Sequence, residues 1–210
     1  MNRKETIMEK SKIMILVESV IDGTISIGQV WQTYGNEIQN TKNVSTEEEV
    51  LALTELYLRY AGFLYNNGYL KDAESYYSEA AQILESKKET ISKDNYEKWI
   101  EIPLHSLAYL NSQSEDYKKA LGYFKQLKNM FPGKDEYLQA YIACLRNVIA
   151  KCTTPIYIVI ALIFLLDICE SHFLDLHIIP DWVLDASWFI WVIAIIVQFG
   201  LPWVLKKVMK

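Results

Sequence analysis

The sequence predicts an all-α protein: a soluble helical part followed by a two-helix membrane hairpin. Three observations predict it. Glycine and proline are sparse, 8 and 5 among 210 residues, as long helices require. Before residue 150, apolar residues recur with the period of a helix that has one buried face. After it, Pro155–Leu166 carries no charge, and a second uncharged stretch runs from Ala186 to Leu205. One crossing of a bilayer core takes roughly 20 mostly apolar residues, and the C-terminal segment supplies that twice.

The N-terminal stretch MNRKETIMEK has no long apolar core, and Glu5 and Glu9 interrupt it, so no export signal is expected there. Ile7, Met8, Ile13, Leu16, Val17, Val20 and Ile21 predict an amphipathic helix that stops at Asp22-Gly23. Ile27, Val30, Trp31, Tyr34 and Ile38 predict a second, capped by Ser26. This pair, residues 1–45, is expected to cover the edge of the helices that follow, with a partner site as the alternative.

Over Thr46–Tyr65 the residues Val50, Leu53, Leu56, Tyr57, Tyr60, Ala61 and Leu64 share one helix face. Ser45 or Thr46 suits the N-cap, with Glu48 or Glu49 completing a capping box. Asn66-Asn67-Gly68 supplies residues that accept a left-handed turn. The next helix turns Leu70, Ala73, Tyr77, Ala80, Ala81 and Leu84 inward. Tyr117, Ala120, Phe124 and Leu127 repeat its spacing, closed by Pro132. Between them, Pro103 predicts a kink that joins a helical piece over Ser92–Trp99 to the helix holding Leu104, Leu107, Ala108 and Asn111. Tyr137, Leu138, Tyr141, Ile142 and Leu145 predict one more helix before the membrane.

Over Thr46–Ala150 these paired helices resemble the tetratricopeptide repeat, a helix–turn–helix with small residues at a close crossing and an aromatic four positions on. Ala73 with Tyr77, and Ala120 with Phe124 and Pro132, fit that pattern. Ala61 and Ala108 stand where the family favours glycine, and Asn111 stands where it favours an aromatic. The repeats lie 47 positions apart rather than 34, with the excess over Ser86–Ile100. The resemblance implies a short α-solenoid over 46–150, ended by a capping helix, and a concave groove that docks a peptide or helix of a protein partner. Leu58, Arg59, Tyr65, His105 and Tyr109 are its expected lining. Members that grip C-terminal carboxylates use several basic and amide residues there. Here Leu58, Arg59, Gly62, His105, Ser106 and Tyr109 offer one base, so that ligand is not expected.

Charge orients the hairpin, residues 151–210, whose spans are expected over about 155–174 and 182–205. Arg146 and Lys151 precede the first span, and Lys206, Lys207 and Lys210 follow the second. The connector carries Asp175 and Asp181 but no base. Positive flanks stay in the cytoplasm, so both termini are expected there, with the connector on the far side of a membrane, expected to be a bacterial inner membrane. Trp182, Trp188, Trp191 and Trp203 are placed as belts at the two interfaces. The net charge of −5 and the lack of a basic stripe leave nucleic acid without support as a partner. Three cysteines without a CxxC pair exclude a disulfide framework.

No catalytic motif stands out. Gly133-Lys134 lacks the glycine and hydroxyl residue of a phosphate loop, and there is neither HExxH nor a nucleophile elbow. No cofactor or resident metal is expected, and no enzyme activity. Asp167, Cys169, Glu170, His172, Asp175 and His177 form the one polar constellation. Asp167 and Glu170, three apart, point to one side of the first span. A solvated outer rim is the simplest reading, with an ion path, a helix contact or a divalent metal as alternatives. Two functions follow. One is a membrane-anchored adaptor. The other is a membrane effector whose hairpins self-associate into a pore, with Asp167, Glu170 and Gln198 at helix contacts.

Overall fold

A computed structural model describes residues 11–41, 44–169 and 179–208. These residues form helices and no strand. The chain divides into two compact units, Met1–Leu110 and Asn111–Lys210.

In the first unit, α1 (Lys12–Ile21) and α2 (Ile27–Asn40) precede the long pair α3 (Glu47–Asn66) and α4 (Leu70–Ser86). Two capping boxes set where α2 and α3 begin. Ser26 accepts from the Gln29 amide while Gln29 reaches back to Ser26, and Thr46 and Glu49 do the same. Backbone hydrogen bonds from Gly68 to Tyr65 and from Tyr69 to Leu64 close α3. Gly68 takes φ +83°, which costs a residue without Cβ nothing.

The α3–α4 contact is built from small and branched residues that exclude water completely: Val50, Leu56 and Ala61 from α3 with Ala73, Ala80 and Leu84 from α4. Burying Leu56 and Leu84 stabilises the pair by roughly 1.5–3 kcal/mol each. The expectation for α4 fails at its first position: Leu70 is 38% exposed, because it begins the helix and stands beyond the end of the contact. Tyr77 and Ala81 are half-buried.

Both α1 and α2 pack on α3. Trp31 of α2 enters the junction, and Gly28 approaches so closely that a Cβ there would stand 3.2 Å from Phe63 Cζ. The parts of the expected first helix before Ser11, including Ile7 and Met8, lie outside the described residues.

After a 3₁₀ turn at Lys88–Thr90 comes α5 (Lys93–Gln113), one helix with Pro103 inside it. The separate piece expected over Ser92–Trp99 is therefore part of α5. Proline removes one amide donor from the ladder, and burial of the residues around it, among them Ile100, Leu104 and Leu107, holds the helix through that gap. Ser92 and Asn95 tie its start to α3, both donating to Glu47 Oε1, at 2.7 and 2.6 Å.

The second unit begins in the last turn of α5. It contains α6 (Tyr117–Met130), α7 (Asp135–Cys169), α8 (Asp181–Ile195), a π-helical turn Ile196–Gly200, and α9 (Leu201–Val208). Ala120, Phe124 and Leu127 of α6 pack on Tyr137, Leu138, Ile142 and Cys144 of α7. The helix expected over Tyr137–Leu145 and the first apolar span are thus one element of 35 residues, and the expected boundary at 150/151 falls inside it.

Two helices are long and apolar enough to cross a membrane, one ending at Cys169 and one running from Asp181 to Val204. The first span's expected end, 170–174, lies outside the described residues. Both spans contain a proline near the same end. In α7, the Thr153 hydroxyl donates to the Ile149 carbonyl at 3.1 Å and that of Thr154 to the Ala150 carbonyl at 2.7 Å, beside Pro155. Pro202 follows the π turn, whose wider spacing relieves the collision of a proline ring with the carbonyl four residues back.

Ala73 and Ala120 are fully buried at their crossings. Ala73→Leu or Ala120→Leu should each cost roughly 1–3 kcal/mol through overpacking. Thermal denaturation of the full chain in detergent measures this. Wild-type melting of both variants would contradict the packing.

Candidate interaction surface

Of the five expected groove residues, Leu58, Arg59 and Tyr65 stand on α3, and His105 and Tyr109 on α5. The structure gives them different surroundings. Tyr65 packs half-buried against Leu64, Ala73 and Leu110, joined there by Tyr60, Tyr76 and Tyr77. Leu58 is half-buried. The Arg59 guanidinium is held on its own helix by Glu55, 2.7 Å away, and contributes little outward charge that is not offset.

On α5, Tyr109 is 51% exposed and His105 is exposed beside it. Ile102, 45% exposed, extends this line. Positions 102, 105 and 109 lie three and four apart and therefore share a face, so α5 carries an open apolar and aromatic stripe. Sequence reasoning missed Ile102 because it sits next to Pro103, in the region assigned to a kink. Its spacing from His105 and Tyr109 was the available signal. The opposite face of α5 is packed, with Ile100, Leu104, Leu107 and Ala108 buried, and near its start Tyr96 Oη donates to Glu85 Oε1 at 2.6 Å.

The densest aromatic group lies elsewhere in this unit, around Trp31. Its ring stacks on Tyr60 at 4.4 Å and 9°, and meets Tyr57 and Tyr76 edge-on, each at 5.2 Å. Trp31 Nε1 donates to Tyr76 Oη at 3.2 Å, and Gln39 Nε2 donates to the same oxygen at 3.0 Å. Such ring pairs contribute about 0.5–1.5 kcal/mol each beyond their burial. Most of the tyrosine richness of α3 and α4 thus holds α2 in place. Tyr57 is the most protected of these rings. Desolvation first, then the nearby Glu79 and Tyr76, push its hydroxyl up to about 12.

In the hairpin, Gln198 Oε1 accepts from Tyr157 Oη at 2.8 Å, which links the π turn to α7. Further along the spans, Phe164 meets Trp188 edge-on at 5.5 Å, and an apolar hollow of about 290 Å³ opens between Tyr157, Phe164, Trp188 and Trp191. Asp167 stands half-buried near the end of α7. Glu170, His172, Asp175 and His177 lie outside the described residues, so the acidic pair and the histidines cannot be placed together. Among the described residues no three His, Cys, Asp or Glu side chains gather as metal ligands do.

Comparison with family models, with curated proteins and with solved structures gave no match.

A tyrosine whose folded-state pKa is raised keeps its proton when the unfolded chain has lost it. The stability it contributes is complete below pH 10 and falls as pH rises toward about 12. Tyr57→Phe should make that alkaline loss shallower, as read from the melting temperature across this window. An unchanged slope would show that Tyr57 titrates as an exposed phenol.

Proposed function

We propose that this chain is a membrane-anchored adaptor. The tetratricopeptide-like stretch read over Thr46–Ala150 presents a cytoplasmic docking face, and the C-terminal hairpin holds it at the bilayer. The partner is a peptide or helix of another protein with apolar side chains. The observation that carries this reading is the stripe Ile102–His105–Tyr109, apolar and aromatic surface left open on a helix whose other face is packed. The close α3–α4 crossing at Ala73 supports the repeat, since the family places a small residue there.

The anchor reading is favoured over a self-associating effector by Gln198. Its amide oxygen accepts from Tyr157 of the same hairpin, which supports a role in holding the two spans together.

A photo-activatable residue replacing Tyr109 tests this in intact membranes. It should give a discrete protein adduct, while the same residue at the exposed Lys71 should give none. Ile102→Ala with Tyr109→Ala should weaken the isolated complex by about 2 kcal/mol, roughly thirty-fold, with membrane content unchanged. Absence of the adduct, or binding that survives the double change, would overturn the docking face.

A further inference from the structure

The second unit holds a pocket with charged residues and apolar surface in its lining where α7 passes from charged to uncharged sequence. Its volume is about 290 Å³, and its lining includes Glu115, Asp116, Tyr117, Lys118, Lys151 and Cys152. Lys151 is the last charged residue before the uncharged stretch Cys152–Leu166, and Pro155 follows it after about one turn, a rise of roughly 5–6 Å. In a helix that crosses a bilayer, that height is the headgroup layer.

The pocket is built around a strained turn. Glu115 has φ 58°, a left-handed conformation uncommon outside glycine. Lys151 secures it by donating to the Glu115 carbonyl at 2.9 Å and pairing with its carboxylate at 3.1 Å, with its ammonium also 5.0 Å from the centre of the Tyr117 ring. Asp116 is engaged as well: it accepts from the Lys119 amide at 3.3 Å, capping α6, and pairs with the Lys119 ammonium at 3.6 Å. Both carboxylates at the rim therefore have lysine partners, and Lys118 carries the positive charge left over. Lys151 retains a further N–H donor beyond its two bonds. The first turn of α6 adds its own positive end.

We propose that this pocket binds the phosphate of a bilayer phospholipid, held by Lys118 and Lys151 with the Tyr117 hydroxyl. Cys152, on the span side of Lys151, lies toward the acyl chains of the same lipid, and Val148 closes the pocket on its other side. The proposal rests on the reading that α7 crosses a membrane. It adds a specific contact to that anchoring, one that fixes the foot of α6 to the headgroup layer.

The test titrates the purified full chain in neutral detergent with phosphatidylglycerol and counts bound lipid by native mass spectrometry. Wild type should take up one lipid saturably. Lys118→Gln should weaken it about fivefold, the weight of one basic residue at an anionic surface, and Lys118→Gln/Lys151→Gln by about the square of that. Lys125→Gln, exposed on α6 and outside the pocket, should bind as wild type does. Because Lys151→Gln also frees the Glu115 turn, the single Lys118 change decides the matter.

Equal binding by wild type and Lys118→Gln would overturn the site. Displacement of the lipid by millimolar inorganic phosphate would overturn it in favour of a soluble phosphate. An alkaline wash of membranes separates the two layers of the argument. Protein that washes off refutes the crossing and the pocket together. Protein that stays, with lipid uptake insensitive to Lys118, refutes the pocket alone.

Discussion

A single unbroken helix, Asp135–Cys169, carries charged residues along its first half and is apolar enough to cross a membrane along its second. Read as a crossing, it has to satisfy water and hydrocarbon in turn, and that demand accounts for how the second unit is organised. Within hydrocarbon every backbone amide needs a partner inside the protein, so the helix cannot end at the bilayer surface without cost. Continuing α7 through Lys151–Pro155 meets the requirement, with the hydroxyls of Thr153 and Thr154 bonded to carbonyls of the preceding turn. Each half then recruits its own neighbour. Below the transition α6 covers Tyr137, Leu138 and Ile142; beyond it α8 and α9 pack alongside. About 25 Å of α7 precede Lys151, so α6 is carried on a rigid rod.

The first unit solves a different problem, that of joining a short helical pair to a longer one. Residues of α1 and α2 bury only a narrow face, and α2 is polar over most of its surface. Trp31 compensates by concentrating aromatic contact at one point, stacked on Tyr60 and gripped by Tyr57 and Tyr76. Gly28 permits the approach. The same chemistry that secures this junction engages Tyr57, Tyr60 and Tyr76, while Ile102, His105 and Tyr109 on α5 stand exposed.

Local signals were readable because they act over a few residues. Ser26 and Thr46 announce helix starts through side chains that bond amides three positions on, and Gly68 announces a left-handed turn. Ala73, Ala120 and the uncharged runs could be placed for the same reason, since period and length alone specify them. Pro103 misled, setting apart a helical piece over Ser92–Trp99 where packing sustains one helix through the proline. Pairings between distant residues left no trace in the pattern. Nothing near Trp31 announces Tyr76, 45 positions on, and nothing near Gln198 announces Tyr157. Of the expected site, Tyr109 and His105 emerge exposed, Arg59 is occupied by Glu55, and the Ile102 contribution came only with the helix traced through its proline.

The central claim is that the folded part and the chain's end lie on one side of a membrane crossed twice. Thiol accessibility tests it most directly. With the native cysteines replaced, Ser45→Cys and Asp181→Cys are introduced singly and exposed to a membrane-impermeant thiol reagent in intact cells. The account predicts labelling at position 181 without permeabilisation and at position 45 only after it. Labelling at position 45 in intact cells, or equal labelling at both positions, would contradict it.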